Sequence, residues 1–132
     1  MPNHAAACAE ACATYARIDL AARIHGASGH ALVSILYEEL DKVLGAISHA
    51  IRHNLMTLLT THKTQFLMIL HSLESGLNFD RGGAVALALA RAYGTIRRDV
   101  MLGIDAVDIA QIAVAHQAAK DIASAWASIQ DG

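Results

Sequence analysis

Proline is almost missing: the 132-residue chain holds one, Pro2, near its start. Nothing after that point breaks a helix through ring strain or a lost amide donor. Cysteine is nearly as scarce. Cys8 and Cys12 are the only two, and their four-residue spacing puts them on one helix face. Two such thiols make no disulfide framework, and they read as small apolar side chains in a reduced compartment. Charge is low at 17% of residues, the formal net charge is -2, and no basic run exceeds Arg97-Arg98. A nucleic-acid surface needs a clustered basic face, and an anionic membrane surface needs a polybasic patch. Neither partner is expected. Uncharged stretches such as Thr64 to Leu73 fall well short of the roughly 18 residues a bilayer span needs. The first sixteen residues carry Glu10 and no Lys or Arg, so they do not read as a secretory signal. The expectation is a soluble cytoplasmic protein.

Apolar residues are plentiful at 55%. Of the 72 that make up this share, 27 are Ala, so the excess is mostly small side chains and not an oversized core. A chain of this length suits one domain with a single core. Punctuation comes from Gly26, Gly29, Gly76, Gly82-Gly83 and Gly103. Between them run four long segments.

In the first, residues 30–53, Leu32, Ile35, Leu36, Leu40, Val43, Leu44, Ile47 and Ile51 recur at spacings of three and four. That is a helix with one buried stripe, and Ser28 suits its N-cap. In the second, about 55–76, Leu55, Leu58, Leu59, Phe66, Ile69, Leu70, Leu73 and Leu77 keep the same period. Asn78 to Gly83 reads as a loop. The third, 84–102, offers Val85, Leu89, Ala92, Ile96 and Val100. The fourth, about 106–130, offers Ile109, Ile112, Ala119, Ile122, Trp126 and Ile129, with Asp105 or Asp108 as its cap. Segments of some 20 residues are too long for strands. The fold class predicted is all-α: an antiparallel up-down four-helix bundle over 29–130, preceded by a short helical or extended segment over 1–28. The many alanines are expected to let the helices approach closely.

Few residues offer chemistry. His49 and His53 share a face and could meet one metal ion. A di-metal bundle, however, needs Glu-x-x-His pairs, and Glu38, Glu39 and Glu74 have no His three residues on. A histidine phosphotransfer pattern is also missing, since neither His25-Gly26 nor His62-Lys63 completes it. Gly82-Gly83 lacks the Lys-Ser/Thr of a phosphate loop. No enzyme and no cofactor are expected. What remains is apolar surface beyond a single stripe: Val33 and Tyr37 on the first helix, Leu87 and Tyr93 on the third. It reads either as a wide core stripe or as a groove for an amphipathic segment of another protein.

Read in order, the segments resemble the flagellin export chaperone family, FliS. Ala27-Ser28-Gly29-His30-Ala31-Leu32-Val33-Ser34-Ile35-Leu36-Tyr37-Glu38 is similar to its "TASPxxLxxMLYxG" opening. Leu77-Asn78 and then Gly82-Gly83-Ala84-Val85-Ala86 resemble its "SLN…GGxIA" turn, and Ala92-Tyr93, Ile96 and Arg98 its "LYxYMxxRL" helix. Asp108 and Trp126, eighteen residues on, resemble its "ND…AW" ending, and Tyr15 to Leu20 its N-terminal "YxxVxV". There are departures. Gly29 stands where the family has Pro, Thr95 where it has a second Tyr, and about four residues near Ala21 to Ile24 are extra.

The resemblance implies a helical bundle that binds the disordered C-terminal segment of flagellin in the cytoplasm. It implies that the bound subunit is kept from premature polymerisation and delivered to the flagellar type III export apparatus, with export-gate components as further partners. Cargo contacts are expected on Leu36, Tyr37 and Leu40 and on Tyr93, Ile96 and Val100, each of which serves either cargo or core. Trp126 is expected to close the bundle end. Tyr15, Ile18 and Leu20 are expected to occupy part of the groove when cargo is absent, with self-association in that state. The alternatives are an adaptor for another partner or a metal-binding bundle using His49 and His53.

Overall fold

The computed structural model describes residues 24–25 and 30–130. Four helices follow one another: α1 (His30–Arg52), α2 (Met56–Ser75), α3 (Phe79–Ala106) and α4 (Ile109–Gln130). Short turns force neighbours antiparallel. α1 packs broadly on α2 and α4, α4 packs on α3, and the α2–α3 seam is the thinnest. The result is the expected up-down bundle, with α1 and α3 on one diagonal and α2 and α4 on the other. Among the described residues no helix is long and apolar enough to cross a membrane.

The buried line of α1 is Val33, Tyr37, Leu40, Leu44, Ile47 and Ile51. This corrects the sequence expectation for the first two turns. Leu32 and Ile35 are exposed, while Val33 and Tyr37 point inward. The line is rotated because Tyr37 finds a phenol partner inside, described below. α2 contributes Leu59, Phe66, Leu70 and Leu73, α3 contributes Ala86, Tyr93, Ile96 and Val100, and α4 contributes Ile112, Ala115, Ala119 and Trp126.

The turns explain the helix ends. Asn54 takes the left-handed conformation (φ 55), which a short polar side chain tolerates. Asn78 caps α3 by accepting from the Arg81 amide at 3.0 Å. The stretch from Asn78 to Gly83, expected as a loop, is thus mostly the first turn of α3. Gly83 then kinks it (φ 53, ψ -129), a conformation open to glycine. Gly103, expected to end the third helix, lies inside it. A Cβ there would sit 2.6 Å from Ile112 Cδ1, so glycine here serves the close approach of α3 to α4. Of the two proposed caps for α4, Asp108 is the one used: its Oδ1 accepts from the Ala110 amide at 3.0 Å. Ser28 lies outside the described residues, as do Cys8 and Cys12.

Candidate docking grooves and the aromatic cluster beneath them

The interior is anchored by an aromatic cluster near the α1 N-terminus. Tyr37 from α1 and Tyr93 from α3 meet hydroxyl to hydroxyl at 2.5 Å. Trp126 from α4 stands edge-on to Tyr37 with centroids 6.2 Å apart. A phenol buried this deeply holds its proton hard. Desolvation pushes Tyr37 up to about 12, partly offset by its bond to Tyr93. It raises Tyr93 further, with the nearby Tyr37 and Glu74 adding to the effect. Both are neutral hydrogen-bonding groups at any working pH.

A fourth element enters this cluster from outside the bundle. Ile24 and His25 are both 2% exposed, and the Ile24 carbonyl accepts from the Asn78 amide at 2.9 Å. The His25 ring stacks edge-on to Trp126 at 5.2 Å and to Tyr37 at 6.5 Å. Its Nε2 lies 3.4 Å from the Tyr93 hydroxyl, while Nδ1 is buried with no hydrogen-bond partner. Desolvation lowers its pKa from 6.5 to about 4. The imidazole is therefore neutral, and an unpaired buried nitrogen costs roughly 1–3 kcal/mol. Sequence reasoning missed both residues. They fall at and beside the extra stretch before Ala27, and no periodic pattern marks them.

Among the described residues three grooves stay open, two of them bordering this cluster. One of about 750 Å³ runs between α1 and α4, from Ser34 and Tyr37 to Lys42 on one wall and from Ala119 to Ala127 on the other. A second of about 290 Å³ is walled by Ile24, Val85, Leu89, Ile122, Trp126 and Ile129. Asp121 is the one charged residue in its lining. A third of about 430 Å³ lies between α1 and α2, over Leu36, Val43, Ala46, Met68 and Ile69. Its rim carries Glu39, Lys42, His62 and Gln65. Exposed apolar side chains continue beside the grooves, among them Leu32, Ile35, Met68 and Val85.

The six residues expected to touch cargo divide sharply. Leu36 is half-buried and lines the α1–α2 groove. Tyr37 is buried at 4% exposure yet borders two grooves. Leu40, Tyr93, Ile96 and Val100 are core, each 1% exposed or less. A side chain that water does not reach cannot meet a guest directly, so these four shape the grooves from beneath. Trp126, expected as a structural end piece, is buried but borders two grooves. Tyr15, Ile18 and Leu20 lie outside the described residues.

His49 and His53 do stand together, with ring centroids 4.3 Å apart. Among the described residues, however, no three His, Cys, Asp or Glu side chains are grouped so that they could hold a metal ion.

The family model of the flagellar protein FliS matches residues 11–132. The chain belongs to that family. No curated protein and no solved structure matches it. The family is a flagellar chaperone family, and a bundle edged by open grooves suits that role.

Proposed function

We propose that this chain binds the C-terminal segment of flagellin in the cytoplasm, keeps it from polymerising early, and delivers it to the flagellar type III export apparatus. The observation that carries this reading is a set of three grooves with largely apolar surface, which flank α1 on both sides and run on between α3 and α4, the α1–α4 one being rimmed by Glu38, Asp41, Lys42 and Lys120. An amphipathic segment lays its apolar face into such grooves and becomes ordered there. Ordering a disordered chain costs roughly 2–5 kcal/mol or more, so a single short groove is not enough. Three grooves spread the contact over a length that can offset this cost. Affinity stays moderate, as suits a cargo that must be released.

In this reading Leu36 and Tyr37 touch the guest, joined by the exposed Leu32, Ile35, Met68 and Val85. Leu40, Tyr93, Ile96 and Val100 support the walls. The segment carrying Tyr15, Ile18 and Leu20 competes with the guest, because the chain leads into Ile24, itself part of one groove wall. Such competition lowers apparent affinity by the fraction of chains whose groove is covered.

The test is calorimetry of the full chain with a flagellin C-terminal peptide, beside the variants Ala123→Leu and a deletion of residues 1–20. Ala123 lines the α1–α4 groove, and a leucine there fills space that the guest needs. We expect saturable binding with a negative heat-capacity change, about tenfold weaker for Ala123→Leu, as follows from ~1.4 kcal/mol of lost contact, and tighter for the deletion. Absence of binding by the folded full chain overturns the proposal. Undiminished affinity in Ala123→Leu removes the α1–α4 groove from it.

A further inference from the structure

The α1–α2 groove holds a side chain whose chemistry the binding role leaves unused. Met68 is 66% exposed, more than any other large apolar residue among those described. It lines this groove with Leu36, Val43 and Ile69. Of the four methionines, Met1 lies outside the described residues. Met56 is exposed and Met101 half-buried, and neither lines any of the three grooves. A thioether is flexible and polarisable, which suits an adaptable apolar contact. It is also an apolar group that oxidants convert into a polar one, and the conversion is reversible.

The surroundings decide what that conversion does. Gln65 stands one turn before Met68 on α2, and Lys42 of α1 belongs to the same lining. The Gln65 amide oxygen accepts from the His62 ring at 3.1 Å, while its amide nitrogen has no partner among the described residues. Lys42 donates to Glu39 at 3.3 Å in an exposed contact, which leaves it further protons to give. The groove thus holds two donors to which a thioether offers only a weak acceptor. A sulfoxide oxygen is a better one. The fold does not depend on this side chain, because the buried residues of α2 are Leu59, Phe66, Leu70 and Leu73. Oxidation at Met68 therefore changes the groove and spares the core.

We propose that Met68 is a reversible oxidation site that closes the α1–α2 groove to its guest, a proposal that rests on the guest-binding reading given above. The oxidant is hydrogen peroxide. A lone pair of Met68 Sδ attacks one peroxide oxygen, the O–O bond breaks, and an S–O bond forms. The departing oxygen takes up the proton released from the transferred one and leaves as water. Sulfur loses two electrons and the peroxide gains them. A methionine sulfoxide reductase reverses the change: a dithiol supplies two electrons and two protons, and the oxygen leaves as water. In the oxidised chain the S–O group bonds to Gln65 or Lys42 and stands in the groove as a polar, branched obstacle. The apolar face of a guest then covers a strong dipole that it cannot hydrogen-bond, which disfavours binding.

The experiment is calorimetry of the full chain with a flagellin C-terminal peptide, before and after treatment with hydrogen peroxide. Met68→Leu is treated alongside, since leucine keeps the apolar volume and offers no sulfur. Mass mapping of proteolytic fragments gives the extent of oxidation at each methionine, and circular dichroism reports the fold. Met68 is expected to oxidise ahead of Met101, with helix content unchanged and affinity lowered about tenfold. Met68→Leu is expected to keep its affinity through the same treatment, which separates Met68 from Met56, Cys8 and Cys12. Methionine sulfoxide reductase restores binding by the wild type. The proposal is overturned by a Met68 that stays reduced while Met101 reacts, by full affinity in the oxidised chain, or by an equal loss in Met68→Leu. A folded, untreated chain without affinity for the peptide overturns the functional reading and this proposal with it. Binding that is present but indifferent to oxidation overturns the proposal alone.

Discussion

His25 makes the stability of this protein depend on pH in a way that a single substitution isolates. The ring is 2% exposed, and burial lowers its pKa from 6.5 to about 4. The folded state therefore resists a proton that the unfolded chain accepts readily. With the folded pKa depressed, the contribution of the neutral ring is complete above pH 6.5. It erodes as pH falls from 6.5 towards 4, and below that it changes no further. A shift of roughly 2.5 units at 1.36 kcal/mol per unit corresponds to about 3 kcal/mol in full. Between about pH 7.5 and about pH 5 the share lost is about 2 kcal/mol.

Trp126 lies 5.2 Å from the ring and is the only tryptophan, so its fluorescence reports on this cluster. Urea unfolding of the wild type should show the midpoint falling by about 1–2 M between the two pH values, taking a denaturant slope of about 1–2 kcal/mol per molar. The carboxylates add their own dependence, which His25→Phe retains. The difference between the two slopes therefore belongs to His25 alone, whatever offset the larger ring introduces. Equal slopes in the two proteins refute the reasoning. The loss also has a ceiling. Once protonation costs more than the Ile24–His25 anchor contributes, the anchor releases while the bundle stays folded. The Asn78 amide, bonded to the Ile24 carbonyl, would then exchange early.

Other consequences can be checked by denaturation. Tyr93→Phe leaves the Tyr37 hydroxyl buried without its 2.5 Å partner and should cost about 1–3 kcal/mol. Adding Tyr37→Phe should cost less than the sum of the two single changes, because the orphaned hydroxyl is then gone. Two glycines on α3 should respond in opposite directions. Neither has a neighbour within 4 Å of a built Cβ, but Gly83 has φ 53 and ψ -129, so Gly83→Ala should destabilise by about 1–3 kcal/mol. Gly94→Ala, in regular helix, should stabilise by about 0.5–1 kcal/mol. Identical shifts in the two would contradict the conformational argument.

Helical period and glycine punctuation were enough for the bundle. The boundaries of α1 and α2 lie within about a residue of the expected ones because Ser, Gly and Asn leave the period abruptly. Which face points inward was harder to read. Leu32 and Ile35 look more apolar than Tyr37, yet they face solvent while Tyr37 is buried. The sequence ranks side chains one at a time. The Tyr37–Tyr93 bond joins residues 56 positions apart, and it removes the cost of burying either hydroxyl only when both are present. The same blindness hid His25. A lone imidazole beside Gly26 carries no local sign that Tyr93, Trp126 and Tyr37 will close around it. Of the six residues expected to serve either cargo or core, Leu40, Tyr93, Ile96 and Val100 are core. A motif marks which positions matter and is silent on whether they matter by touching a guest or by shaping the wall it touches.

The alanines show how one composition can serve two ends. Small side chains were expected to draw the helices together, and at one place they do: Ala115 and Ile112 of α4 are buried where Gly103 lets α3 approach closely. Further along α4, Ala119, Ala123 and Ala127 recur at i, i+4 and i+8 on the face that borders the α1–α4 groove. Tyr37 of α1 and Trp126 of α4, with ring centroids 6.2 Å apart, border the same groove and are much the larger side chains there. Alanines beside such side chains leave a furrow, because they end at Cβ while interaxial distance depends on all the side chains at the contact, the larger ones included. Filling that furrow with leucine would produce a better-packed bundle and a poorer host. On the proposed function, the alanine content, which first reads as a shortage of core, is therefore what keeps the groove walls open to a guest.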